Sequence, residues 1–187
     1  MKRILSKSTL LLCAATLASI CVSAQYNAVK NNVPVFKKDT VSIATFGAIS
    51  DGLKLNTVAI NNTINALHQK GGGVVLVPQG LWLTGPIVLK SNINLHVEQG
   101  AILLFSADFN QYKLVEGNWE GLKQMRNQSP ISATGVTNVA ITGKGIIDGN
   151  GGAWRQVKKE KLTDGQWKKL LAGGGILSED KKTWYPT

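Results

Sequence analysis

Two stretches of this chain share one pattern, and that pattern constrains the fold more than any other feature. Asn92-Ile-Asn-Leu-His-Val-Glu-Gln-Gly-Ala-Ile102 and Asn138-Val-Ala-Ile-Thr-Gly-Lys-Gly-Ile-Ile147 each set apolar residues one and three places after an asparagine. A glycine and a second apolar run follow in both. The asparagines lie 46 residues apart, which fits two solenoid coils of about 23 residues or one coil with an inserted loop. The second is favoured, because Ala107 to Pro130 breaks the texture with charged and aromatic residues. Around the pair run short β-prone segments, Val74 to Val77, Ile87 to Leu89, Ile93 to Val97 and Ala101 to Phe105, resuming at Ile131, Val139 and Ile146. Pro78, Gly80, Gly85, Pro86, Asn92 and Gly100 punctuate them. No helices alternate with these strands, which argues against a doubly wound α/β fold. Between Val74 and Phe105 no Asn-Gly or Asp-Gly pair joins two strands, which argues against an antiparallel sandwich. The expected class is all-β, a parallel β-solenoid.

A solenoid needs its open ends covered. Val41 to Phe46 reads as a strand closed by Gly47. From Asn56 to His68, Val58, Ala59, Ile60, Ile64 and Leu67 recur mostly at helical spacing, with Asn56 as expected N-cap and Gly71 to Gly73 as terminator. This helix is placed to cap the N-terminal end. Thr163-Asp-Gly-Gln166 is a capping-box pattern that opens a second short helix through Leu171, read as a loop excursion. No matching C-terminal cap is recognisable, and the solenoid is expected to be truncated on its C-terminal side.

Lys2, Arg3 and Lys7, an apolar run from Leu10 to Ile20, and Val22-Ser23-Ala24 follow the order of a secretory signal peptide. That apolar run is too short to span a membrane, which takes about 20 apolar residues. The expected division is a signal peptide over 1–24, a polar lead over 25–40 and the solenoid over 41–187. The product is expected to be periplasmic or extracellular, with no membrane attachment after cleavage, and monomeric. Both cysteines, Cys13 and Cys21, fall in the leader, so the remainder has neither disulfides nor thiolate metal sites. Net charge is +10 for the whole chain and +7 without the three basic leader residues. Outside a cell that sign suits an acidic polysaccharide and not nucleic acid.

Several ordered segments resemble one family: Phe46-Gly-Ala-Ile-Ser-Asp-Gly52, Gly71-Gly-Gly-Val-Val-Leu-Val-Pro-Gln-Gly80, Leu83-Thr-Gly-Pro-Ile-Val-Leu-Lys-Ser-Asn92, and Ile141-Thr-Gly-Lys-Gly-Ile-Ile-Asp-Gly149 with Trp154. Together they look like the N-terminal part of glycoside hydrolase family 28, the polygalacturonases and related pectin hydrolases. The resemblance implies a right-handed parallel β-helix and inverting hydrolysis of α-linked galacturonic acid chains, without cofactor or metal. Such chemistry needs one carboxylic acid to protonate the leaving oxygen and a second carboxylate to activate water. The family carries these on Asn-Thr-Asp and Asp-Asp motifs, supported by Gly-His-Gly and Arg-Ile-Lys. None of the four occurs here: Asn56-Thr57 and Asn62-Thr63 are followed by Val58 and Ile64, and no Asp-Asp pair exists. No catalytic residue is therefore expected among these 187, and the chain alone is expected to be inactive. Other readings are a non-catalytic polysaccharide-binding β-helix and a pectate-lyase-like eliminase, although the latter lacks an acidic calcium cluster.

Trp119-Glu120-Gly121 and Arg126 match a pattern that family members carry on a loop beside the substrate groove. Trp119, Glu120, Arg126 and Trp154 are accordingly the candidate substrate-binding residues: an arginine grips a uronate carboxylate bidentately and a tryptophan stacks on a sugar ring. The plainer alternative is a loop anchored by Trp119 with Arg126 paired to Glu120, and Trp154 at a coil edge. His96 is expected to face outward, Asp51 and Asp148 to serve turns, and the run Lys158-Lys159-Glu160-Lys161 to be a solvated face.

Overall fold

A computed structural model describes residues 33–186. The expected signal peptide and the first part of the polar lead lie outside the described residues. The chain winds as a right-handed parallel β-helix, and three sheets run along its side. The first joins β1 (Thr40–Ser42), β2 (Gly73–Val77), β5 (Ile93–Val97) and β10 (Ala140–Gly143) in that order. The second stacks β3 (Gly80–Thr84), β6 (Ala101–Phe105) and β11 (Ile146–Asp148). The third pairs β4 (Ile87–Val88) with β9 (Ile131–Ser132). All pairings in these sheets are parallel.

The register settles how the two similar stretches relate. Gly73 lies over Ile93, a step of 20 residues, while Asn94 lies over Ala140, a step of 46. They occupy consecutive rungs, and the longer step carries an insertion. Alternation along the strands builds the interior: Val75, Val77, Ile93, Leu95, Val97, Ala101, Leu103 and Phe105 point inward and are buried. Each fully buried Val, Leu or Ile contributes about 1.5–3 kcal/mol relative to exposure. At the last rung the glycine of β10 is required: a Cβ on Gly143, at φ 103°, would run into the Val97 carbonyl of the rung below.

The helix α1 (Thr57–Gln69) covers the N-terminal end, burying Ala59, Ile60, Thr63, Ile64 and Leu67 against β2 and the 3₁₀ turn Ile43–Phe46. Its N-cap differs from expectation. Asn56 makes no side-chain cap bond; it is buried, and its side chain bridges the preceding loop and the next strand. Oδ1 accepts from the Ile49 N–H, and Nδ2 faces the carbonyls of Ile49, Lys54 and Leu83. Further along α1, Asn61 Oδ1 accepts from Val88 N and its Nδ2 donates to Pro86 O, which ties the cap to β4.

After β11 the chain leaves the coil pattern. β12 (Val157–Lys158), β14 (Thr183–Tyr185) and β13 (Ile176–Leu177) make a small antiparallel sheet. α2 (Asp164–Ala172) precedes β13 and opens on the complete capping box of Thr163 and Gln166.

Candidate functional site

The insertion between β6 and β9 is itself β-structure. β7 (Leu114–Trp119) and β8 (Leu122–Asn127) form an antiparallel hairpin closed by Glu120-Gly121. Both turn residues have positive φ, 50° and 89°, as a two-residue hairpin turn with type I′ twist demands. The Gly121 N–H donates to Asn118 Oδ1 at 2.8 Å. Asn-Gly or Asp-Gly would have signalled this turn. Glu-Gly does not, and the segment read as an irregular loop.

An isolated two-stranded hairpin is marginal in water, so its root decides whether it holds a position. The 3₁₀ turn Phe109–Gln111 leads into it, capped by Asp108, which accepts from Asn110 N, Asn110 Nδ2 and Gln111 Nε2. The Gln111 bond, followed by the Asn110 backbone, holds the Asp108 carboxyl below the ordinary carboxylate value. Tyr112 is buried, and its hydroxyl donates to Ser106 O at 2.7 Å. Burial, and next the Asp108 charge, push its phenol up. The Gln128 N–H donates to Lys113 O and closes the root.

Trp154, from the 3₁₀ turn that follows β11, packs edge-on against Phe109 at 4.7 Å and Tyr112 at 4.8 Å. The insertion of one rung is thereby pinned by the aromatic of the next. Trp154 Nε1 is buried without a hydrogen-bond partner among the described residues.

The backbone register places the four candidate residues at different points of the hairpin and its root. Trp119 ends β7 opposite Leu122, and Glu120 occupies the exposed turn. Arg126 is opposite Val115, and its stem lies across Gly117, whose missing Cβ would sit 3.3 Å from Arg126 Cδ. The register sets Arg126 toward the root, away from the turn that holds Glu120. Trp154 lies at the root itself. By topology the hairpin rises where the chain passes from β6 to β9, at the margin of the β4–β9 sheet, whose outward residues are Val88 and Ser132. A guanidinium held on a strand with a half-buried stem can grip a carboxylate with two parallel bonds.

Elsewhere the turn aspartates are as expected. Asp51 accepts from Lys54 N and Leu53 N, both at 2.8 Å, and these bonds, Lys54 first, lower its carboxyl. Asp148 accepts from Asn150 N. His96 faces outward between buried Leu95 and Val97, and its ring meets Thr142, a contact the sequence did not reveal. Lys158 and Lys159 line a 580 Å³ cavity with Lys182, Glu160, Asp164 and Asp180, a balanced set of charges. Among the described residues no group of three or more His, Cys, Asp or Glu could hold a metal ion.

No family model matches the chain. A Vitis vinifera protein named "Probable polygalacturonase" is 36% identical over 126 residues, covering 63% of this chain and 26% of that protein. The crystal structure of a hyperthermoactive exopolygalacturonase from Thermotoga maritima superposes with a TM-score of 0.60 at 32% identity, over 80% of this chain and 36% of that one. The family 28 exopolygalacturonase of Yersinia enterocolitica gives 0.57 at 29% identity, over 80% and 25%. The chain spans about a quarter of the length of the curated relatives it matches.

Proposed function

Because the chain is related over part of its length to glycoside hydrolase family 28, the polygalacturonases, we propose that it supplies the first coils and a groove wall of a secreted pectin hydrolase. The observation that carries this reading is the 36% identity to a named polygalacturonase over 126 residues, together with a 32% identical exopolygalacturonase that superposes on 80% of the chain.

The substrate is an acidic galacturonan. In this reading Arg126 pairs with a uronate carboxylate, Trp119 and Glu120 border the sugar chain at the hairpin turn, and Trp154 holds the hairpin root in place. The two carboxylates that break the glycosidic bond are supplied by residues other than these 187, since the acid and base motifs of the family are not among them. The leader over residues 1–24 directs export, and the mature protein is a monomer beginning at Gln25.

Two measurements test the proposal. Purified chain incubated with polygalacturonate is expected to release no reducing sugar yet to bind trigalacturonate, with Arg126→Met weakening that binding about tenfold or more. DNA read in frame past the Thr187 codon is expected to encode Asn-Thr-Asp and Asp-Asp. An extended frame without them overturns the hydrolase reading.

A further inference from the structure

On the outer face of the β1-β2-β5-β10 sheet, three side chains from two stacked rungs form a directed hydrogen-bond chain. Thr142 lies directly over His96 in the parallel register. The Thr142 hydroxyl donates to Asn94 Oδ1 at 2.9 Å, and Thr142 Oγ1 meets His96 Nδ1 at 2.8 Å. A hydroxyl has one proton to give. With the Asn94 amide oxygen turned toward it, Thr142 gives its proton to Asn94 and accepts from His96, an arrangement that in a neutral imidazole places the ring proton on Nδ1. Nε2 is left as an unprotonated acceptor.

His96 borders a recess of 410 Å³ together with Glu98, Gln99, Gly143 and Lys144. The side chains that line it, His96, Glu98, Gln99 and Lys144, each carry a polar head on an apolar stem. Glu98 and Lys144 have opposite charges, so the recess favours neither simple anions nor simple cations. The side chains that border it carry acceptors (His96 Nε2 in this tautomer, the Glu98 carboxylate), a donor (Lys144) and the amide of Gln99, which is both. A ligand whose every polar group both donates and accepts fits that set, and adjacent ring hydroxyls of a sugar are such groups.

We infer that this recess is a saccharide subsite that holds ring hydroxyls rather than carboxylates. The inference rests on the polysaccharide reading above and adds a second contact for the same polymer, on a different sheet from the hairpin. His96 Nε2 and Glu98 accept from sugar hydroxyls, Lys144 donates to a sugar oxygen, and Gln99 bridges a neighbouring pair. With no aromatic platform the subsite is weak for one sugar. A long polymer held elsewhere on the protein makes the second contact intramolecular, and a weak site then raises avidity substantially.

The test uses the whole chain with ¹⁵N-labelled histidine. The His96 ring is expected to show the Nδ1–H tautomer, and an Nε2–H pattern overturns the inference at once. Titration with galactotriose and, separately, with trigalacturonate is expected to shift His96 Nε2 in both cases. Both shifts are expected to persist in about 0.5 M salt, where exposed charge attraction is largely screened. No shift with either sugar overturns the inference, as does a shift with trigalacturonate alone that salt abolishes, or one produced by zinc and by neither sugar. Thr142→Val keeps the β-branched shape and removes the hydroxyl. It is expected to leave the unfolding midpoint nearly unchanged and to weaken galactotriose binding about threefold to tenfold; unchanged affinity overturns the inference. Reducing-sugar release decides the hydrolase reading independently, so the two failures are separable.

Discussion

Asn138 Nδ2 donates to Asn92 Oδ1 at 3.0 Å, and both asparagines sit in the left-handed region, at φ 55° and 66°. Each stands just before a strand of the first sheet, one rung above the other. Nδ2 of Asn138 also reaches Val35 O at 2.9 Å, which ties the lead segment to the third rung. Asparagine suits the position twice over, because it tolerates left-handed backbone and its amide bonds to its copy on the next rung.

Those two properties separate by substitution. Asn138→Gly keeps the backbone freedom and loses the side-chain bonds, for an expected loss of about 1 kcal/mol. Asn138→Ala loses both, and the left-handed penalty raises the loss to about 2–3 kcal/mol. Urea unfolding of the purified variants measures the difference. Equal losses would show that the backbone conformation is not what the asparagine supplies.

Asn56 makes a sharper demand. Replacing it with alanine strands the Ile49 N–H and several carbonyls in the interior, an expected loss of about 3 kcal/mol. Asn56→Asp has nearly the same shape but turns an oxygen toward the Ile49, Lys54 and Leu83 carbonyls. It is expected to be worse than alanine at neutral pH and to recover partly in acid, where the carboxyl gains a proton. Thermal melts at two pH values check both claims, and a harmless Asn56→Asp refutes them.

Trp154 offers two edge-on ring contacts, worth about 0.5–1.5 kcal/mol each, and one orphaned N–H. Trp154→Phe keeps a ring and removes the orphan, so it is expected to be nearly neutral. Trp154→Ala is expected to cost about 2–3 kcal/mol and to speed amide exchange across residues 114–127, since the hairpin root loses its pin. Exchange mass spectrometry on the two variants decides the point: unaltered hairpin exchange in Trp154→Ala means the root is held by other contacts.

Asp51, Asp108 and Asp180 all have carboxyls lowered from the ordinary 3.8, chiefly by hydrogen bonds from Lys54 N, the Gln111 side chain and the Ser178 side chain respectively. Groups depressed in the folded state support it fully above the unfolded value and lose that support as pH falls through the folded one. Stability is therefore expected to hold from neutral pH to about 4 and to decline below it. In urea melts at stepped pH, the double variant Asp51→Asn with Asp108→Asn is expected to show a shallower acid decline. An identical slope would assign the acid sensitivity to other groups.

Much of the solenoid was legible because period-two burial is a local signal: Ile93, Leu95 and Val97 announce their rung without reference to anything distant. The capping helix was legible for the same reason at helical spacing. What escaped were features fixed by partners far along the chain. Asn56 resembles a helix N-cap in sequence, yet the Leu83 carbonyl and the Ile49 loop claim its side chain first. The hairpin was hidden by Glu120, a residue that seldom takes positive φ. Its strands carry Gly117, Lys123 and Gln124 where a β-rich sequence would place branched residues. Of the site, the candidates' identities came from the resemblance, whereas their separation along the hairpin came only from the register.

The two ends of the solenoid differ. α1 covers one, while at the other the inward-facing Ile141 and Ile147 remain 47% and 39% exposed where Leu95 and Leu103 beneath them are at 0%. In a stack whose rungs touch only their neighbours, stability is close to a sum over adjacent interfaces. Opening then travels like an unzipping front from the bare rung toward the covered one. In these 187 residues, amides of β10 and β11 are therefore expected to exchange before those of β2 and β5, and any further coil stacked on Ile141 and Ile147 is expected to slow them, each rung lending its lifetime to the one below.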